Sequence, residues 1–131
     1  MALGMAVGLR NARLDAITSF AGASALLRFY DGTRPATGGA ATTLLAELVC
    51  NATFAPAASG GTLTLNAIAS DAAANATGTA TWFRLVKADG TTHVTDGNIG
   101  TSGSDINLNT VSIVSGGPVG QASFVITEGN P

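Results

Sequence analysis

His93 is the one histidine of the chain and Cys50 the one cysteine, so nucleophilic or metal chemistry has to start from this pair. A zinc site needs at least three nitrogen, sulfur or oxygen ligands, and one chain supplies here at most one imidazole and one thiolate. Cys50 and His93 could act as nucleophile and base, but no local signature around either argues for it. His93, between Thr92 and Val94, reads as an ordinary strand residue, and Cys50 as a small buried hydrophobe. The carboxylates Asp15, Asp31, Glu47, Asp71, Asp89, Asp96, Asp105 and Glu128 are scattered along the chain. Asp31, Asp89 and Asp96 each precede a glycine, which is the chemistry of a turn. The stretch Asp96-Gly97-Asn98-Ile99-Gly100 resembles the start of a calcium loop without its run of acidic ligands or closing Glu, and reads as a flexible loop. No Gly-x-x-x-x-Gly-Lys-Ser/Thr phosphate loop occurs. Asn51-Ala52-Thr53 and Asn75-Ala76-Thr77 match the glycosylation pattern by chance, in a sequence with no leader pattern. The reading is a non-catalytic protein with no cofactor and no metal.

The elements that would carry these residues have an unusual composition. Charged residues are 11% of the 131-residue chain, against about 25% in ordinary globular domains. Apolar residues reach 46%, which argues against disorder. Apolar runs are broken by Arg10, Arg13, Arg28 and Glu47 before they reach the length of a membrane span. Net charge is −2 and Lys and Arg are not clustered, so there is no footprint for direct nucleic-acid binding. What remains is an exterior of Ala, Thr, Ser, Gly and Asn, which neighbouring protein can cover without desolvating many charges. That favours a subunit of an assembly over a free enzyme.

Residues 1–22 read as a retained arm and helix, because Arg10 and Arg13 follow the apolar stretch Met1–Leu9 rather than precede it, the reverse of a signal peptide. The helix is expected over Val7–Ala21, with Leu9, Arg13, Ile17 and Phe20 on one stripe and Gly22 as its stop. The stripe suits packing on the chain's own sheet or docking on a neighbouring subunit. Residues 23–131 read as a β domain. Strands are expected over Ala25–Tyr30, Leu44–Asn51, Thr62–Ile68 (burying Leu63, Leu65 and Ala67), Thr79–Lys87, Thr91–Thr95, Ile106–Val114 and Val119–Glu128, with a Gly/Ser-rich loop at Gly97–Ser104. Ala88-Asp89-Gly90 closes a hairpin. Within it Trp82 and Val86 share one face and Phe83 and Leu85 the other, so this strand should be covered on both sides. Seven or eight strands after one helix give an all-β class, an antiparallel β-sandwich of jelly-roll type.

The run Phe29-Tyr30-Asp31-Gly32-Thr33-Arg34-Pro35, with Ala80-Thr81-Trp82-Phe83-Arg84-Leu85-Val86-Lys87-Ala88-Asp89-Gly90, resembles small virion proteins of tailed bacteriophages. The resemblance extends from about Leu9 to Glu128 and is nearest to capsid decoration, or cement, proteins with a jelly-roll-like sandwich. It implies a protein made in the host cytoplasm that binds the outer surface of the capsid as a dimer or trimer. There it would clamp neighbouring copies of the major capsid protein, with no catalytic residues to carry over. Joined to the composition, it gives an assembly interface of Met1, Leu3, Met5, Leu9, Arg13, Ile17 and Phe20, with an exposed strand edge at Leu44–Asn51 or Val119–Glu128. A tail or baseplate component is the alternative within this class. A surface carbohydrate-binding module, stacking a sugar on Trp82 or Tyr30, is the alternative outside it.

Overall fold

A strand with large apolar side chains on both faces has to be buried twice, and the computed structural model, which describes residues 4–120 and 123–127, does this with two different covers. The elements in chain order are α1 (Val7–Ala21), β1 (Leu26–Tyr30), β2 (Leu44–Val49), β3 (Thr62–Thr64), β4 (Gly78–Thr79), β5 (Trp82–Val86), β6 (His93–Gly100), β7 (Ile106–Asn107), β8 (Ser112–Ile113) and β9 (Ser123–Thr127). Seven strands form one sheet in the order β2-β1-β5-β6-β7-β9-β3, and β4 and β8 form a separate two-stranded ladder. The protein is β-rich, with one helix among the described residues. One of its pairings, β6 with β7, is parallel, where sequence pattern alone leads to an antiparallel arrangement throughout.

The inner face of the sheet is set by cross-strand pairs in register: Leu27 with Leu85, Phe29 with Phe83, and Leu27 with Leu48. These side chains are fully buried and share one core with Leu14 of α1, Phe54, Leu63, Ile68, Ile106, Ile113 and Phe124. The helix forms where expected and ends at Gly22, whose φ of 72° suits a residue without Cβ and whose N–H bonds Thr18 O. It is tied to the body by Asp15 Oδ1, accepting from Ala58 N–H at 2.7 Å, and Asn11 Oδ1, accepting from Gly61 N–H at 2.9 Å. Several strands are shorter than the sequence pattern suggests. Thr62–Ile68 is a strand only through Thr64, after which Leu65 and Ile68 are buried while Ala67 is exposed. Ile106–Val114 divides into the two-residue strands β7 and β8.

The largest correction concerns the stretch from Asp96 to Gly100, expected as a loop and found inside β6. Gly97 lies opposite Phe83, and a Cβ built there would sit 2.4 Å from Phe83 Cε1. The ring occupies the space a side chain would need, and stacks edge-on with Phe124 at 5.0 Å. This glycine is therefore a packing residue, and its turn-like dipeptide is misleading. Gly97→Ala should cost about 1–3 kcal/mol through overpacking, read as a fall in the urea midpoint without a change in m.

Candidate interaction surface and the charge row

The outward side of α1 carries most of the expected interface. Leu9 and Phe20 are 50% and 49% exposed, and Ala12, Arg13 and Ala16 beside them are also exposed. Lys87 Nζ lies 5.1 Å from the Phe20 ring centroid. Ile17 departs from the expected stripe. It sits roughly 80° around the helix axis from Leu9 at 100° per residue, and packs against the core beside Leu14. The buried face is thus Leu14, Ile17 and Ala21, and the stripe taken from spacing mixes two faces. Met5 is half-buried, its sulfur accepting a hydrogen bond from Arg13 Nη1 at 3.1 Å. Met1 and Leu3 lie outside the described residues.

Of the two expected strand edges, that of β2 is closed. The outer side of β2 is capped by residues 69–76: Ala69 N–H bonds Val49 O, Glu47 N–H bonds Asp71 Oδ2, and Asn75 N–H bonds Leu45 O, at 2.8–3.0 Å. β9 lies between β7 and β3 but pairs with β7 only through Ser123 and Phe124.

The outer face of the sheet holds a feature missed at the sequence level. Glu47, Arg28, Arg84 and Asp96 are register partners in one row across β2, β1, β5 and β6. Two arginines directly opposite each other repel. Here each has its own carboxylate on the far side, Arg28 Nε to Glu47 Oε2 at 2.7 Å and Arg84 Nε to Asp96 Oδ1 at 2.8 Å. The first pair is partly exposed and contributes little. The second is more enclosed, with side chains 12% and 2% exposed. Arg84 Nη2 adds a second bond to Asp96 Oδ2 at 3.0 Å and another to Gly39 O at 2.8 Å. Gly38 N–H reaches Asp96 Oδ2 at 3.0 Å, and His93 Nε2 lies 3.0 Å from Asp96 Oδ1.

The loop between β1 and β2 is thereby fastened over the sheet. Beneath it lie Trp82, fully buried, and Tyr30, stacked at 4.4 Å between ring centroids. Trp82 Nε1 donates to Asp31 O and Thr42 Oγ1, both at 3.0 Å, and Arg84 lies 5.2 Å over the indole. The double cover expected for this strand is real, and the second cover is the chain's own loop. Neither aromatic presents a free face on which a sugar could stack.

Chemically, the row is a fastener. Burial pushes the Asp96 carboxyl up, but hydrogen bonds from Arg84, Gly38 N–H and His93 outweigh it and hold the group below its ordinary value. The hydrogen bond to Asp96 in turn raises the Arg84 guanidinium. Burial alone pushes the Cys50 thiol up to about 11, so it is a neutral core residue at physiological pH. Among the described residues no group of three or more His, Cys, Asp or Glu is placed to hold a metal ion, and no helix is long and apolar enough to cross a membrane.

No family model, curated protein or solved structure matches this chain.

Two outcomes are expected. Asp96→Ala should cost about 1.5–3 kcal/mol, the range for hydrogen bonds to charged groups, because it leaves the partly enclosed Arg84 guanidinium without its counter-ion. Since the folded-state value of Asp96 is lowered, its contribution is complete above the unfolded value of about pH 4 and is lost as pH falls through the lowered folded value. Urea midpoints followed by the single tryptophan should fall steeply on acidification below that point, and Asp96→Asn should start lower at neutral pH and flatten this acid limb.

Proposed function

We propose that the protein is a structural subunit of a tailed-phage virion, of the capsid decoration type. It binds the outer surface of the head through contacts with the major capsid protein and with further copies of itself, and catalyses nothing. One observation carries the reading: an outward helix face of Leu9, Ala12, Arg13, Ala16 and Phe20, on a chain with 11% charged residues. Such a face is cheap to desolvate, and contacts repeated by symmetry over a lattice add through avidity. The resemblance of Phe29–Pro35 and Ala80–Gly90 to virion proteins supports the same reading. These two runs hold the end of β1 with the start of the fastened loop, and β5 with its turn.

The proposal includes the finer fold assignment, a jelly-roll-like sandwich. Antiparallel pairing in every ladder but one supports it, as does the separate β4/β8 ladder, which contributes Ile113 to the common core.

The test is binding of the purified chain to undecorated heads, imaged by electron microscopy. Regular surface density at symmetry-related positions is the expected result. Density confined to the tail would reassign the protein to the baseplate class, and no density on any virion part would end the proposal. Leu9→Asp with Phe20→Asp should lower head binding by about tenfold or more, with only a small fall in the urea midpoint because both side chains are already about half exposed.

A further inference from the structure

The seven-stranded sheet has a slot in it. β7 is only two residues long and bridges β6 to β9 through Ile99–Ile106 and Ile106–Phe124. Ahead of Ile106, no strand among the described residues pairs with β6 over residues 93–98 on that side, or with β9 over 125–127 on its β7 side. Two strand edges therefore face each other across the width left by a missing strand, about 10 Å between their axes. Ile99 N–H bonds Thr81 O, just ahead of β5, so by alternation the N–H and C=O of Asp96 point into the slot. The carbonyl there has only long contacts, 3.5 Å from Arg34 Nη1 and 3.4 Å from Thr95 Oγ1. On the opposite edge Phe124 O accepts from Leu65, so Val125 and Thr127 turn their backbone groups inward to the slot. A cleft of ≈ 340 Å³ occupies this place, with Ile17 and Phe83 among its apolar walls. Asp105 closes one end, its carboxylate accepting from Asn98 N–H at 2.8 Å.

An extended segment that fills such a slot needs large apolar side chains at alternate positions, small residues between them and no charge. Met1-Ala2-Leu3-Gly4-Met5 has this pattern, with large residues at odd and small ones at even positions. Met5, the last residue of this segment, accepts a hydrogen bond from Arg13 of α1, a contact that insertion exchanges for the cleft.

We propose that residues 1–5 of a second copy of this chain insert between β6 and β9 as an added strand, in line with β7. Met1, Leu3 and Met5 then face the cleft, and Ala2 and Gly4 face outward with Val125. Backbone hydrogen bonds on both edges supply affinity, and the alternating side chains supply register. The inference rests on the assembly reading above and names the contact between copies within it.

Cysteine pairing tests it. Chains carrying Ala2→Cys and chains carrying Val125→Cys are mixed, oxidised and run on a non-reducing gel, with the buried Cys50 as a silent background. Val125 is 47% exposed, so its replacement leaves the core intact. The expected result is conversion of the mixture to a disulfide dimer, absent when Val114→Cys replaces Val125→Cys and lost when Leu3→Asp is added to the Ala2→Cys chain. No dimer, or an equal yield with Val114→Cys, overturns the proposal. So does an Ala2→Cys/Val125→Cys double variant that closes only an internal disulfide. Head binding is scored in parallel. Chains that decorate heads without cross-linking sink this contact alone, and chains that cross-link without binding heads sink the virion role alone.

Discussion

The Arg84–Asp96 pair is the interaction on which the outer half of the structure depends. A carboxylate with 2% of its side chain exposed is tolerable only if its lone pairs are occupied and its charge opposed. Both conditions are met by groups from three separate places: the guanidinium from β5, the imidazole from β6 itself and the Gly38 N–H from the loop. The pair does more than join two strands already joined by their ladder. It gives the loop a fixed point, and the loop in turn removes Trp82 and Tyr30 from water. An outer sheet face with a stacked indole and phenol would otherwise be a large exposed apolar patch.

Much of this frame was legible in the sequence. The helix bounds, β1, β2, the hairpin at Asp89-Gly90 and the two-sided burial of Trp82–Val86 all follow from periodicity and turn chemistry. The charge row was not, for a specific reason. A plain two-residue turn at Asp89-Gly90 would set Arg84 opposite Thr95. The observed register shifts between Leu85 and Val86, with Val94 as the extra residue, and this bulge brings Asp96 to Arg84 instead. One inserted residue changes the partner of every later position, and no local pattern announces it. The face of α1 was misassigned for a related reason: Ile17 and Leu9 are close enough in helical angle to look like one stripe, and only the sheet's position decides between them.

The carboxylates explain why the chain can be so poor in charge. Of the described acidic residues, Asp15, Asp31, Asp71, Asp89, Asp96 and Asp105 each accept a backbone N–H from a loop, turn or strand edge, and Glu47 holds Arg28. Strands of two to eight residues leave many N–H groups outside any ladder, and each buried one needs an acceptor. Aspartate is the shortest side chain that brings a full negative charge to such a group. The acidic residues are therefore mostly parts of the scaffold.

That allocation has a consequence for association. A surface whose few carboxylates already serve the chain's own backbone cannot gain much from electrostatic steering, and its partners should be selected by shape and by backbone pairing rather than by charge. The capped edge of β2 and the open slot between β6 and β9 then have opposite meanings. In one place the fold uses Asp71 and residues 69–76 to close a strand edge that would otherwise pair with any neighbour. In the other it leaves two edges facing each other across a cleft lined by Ile17 and Phe83 and by Asp96 and Asp105, which suits an extended segment that brings backbone groups to both edges.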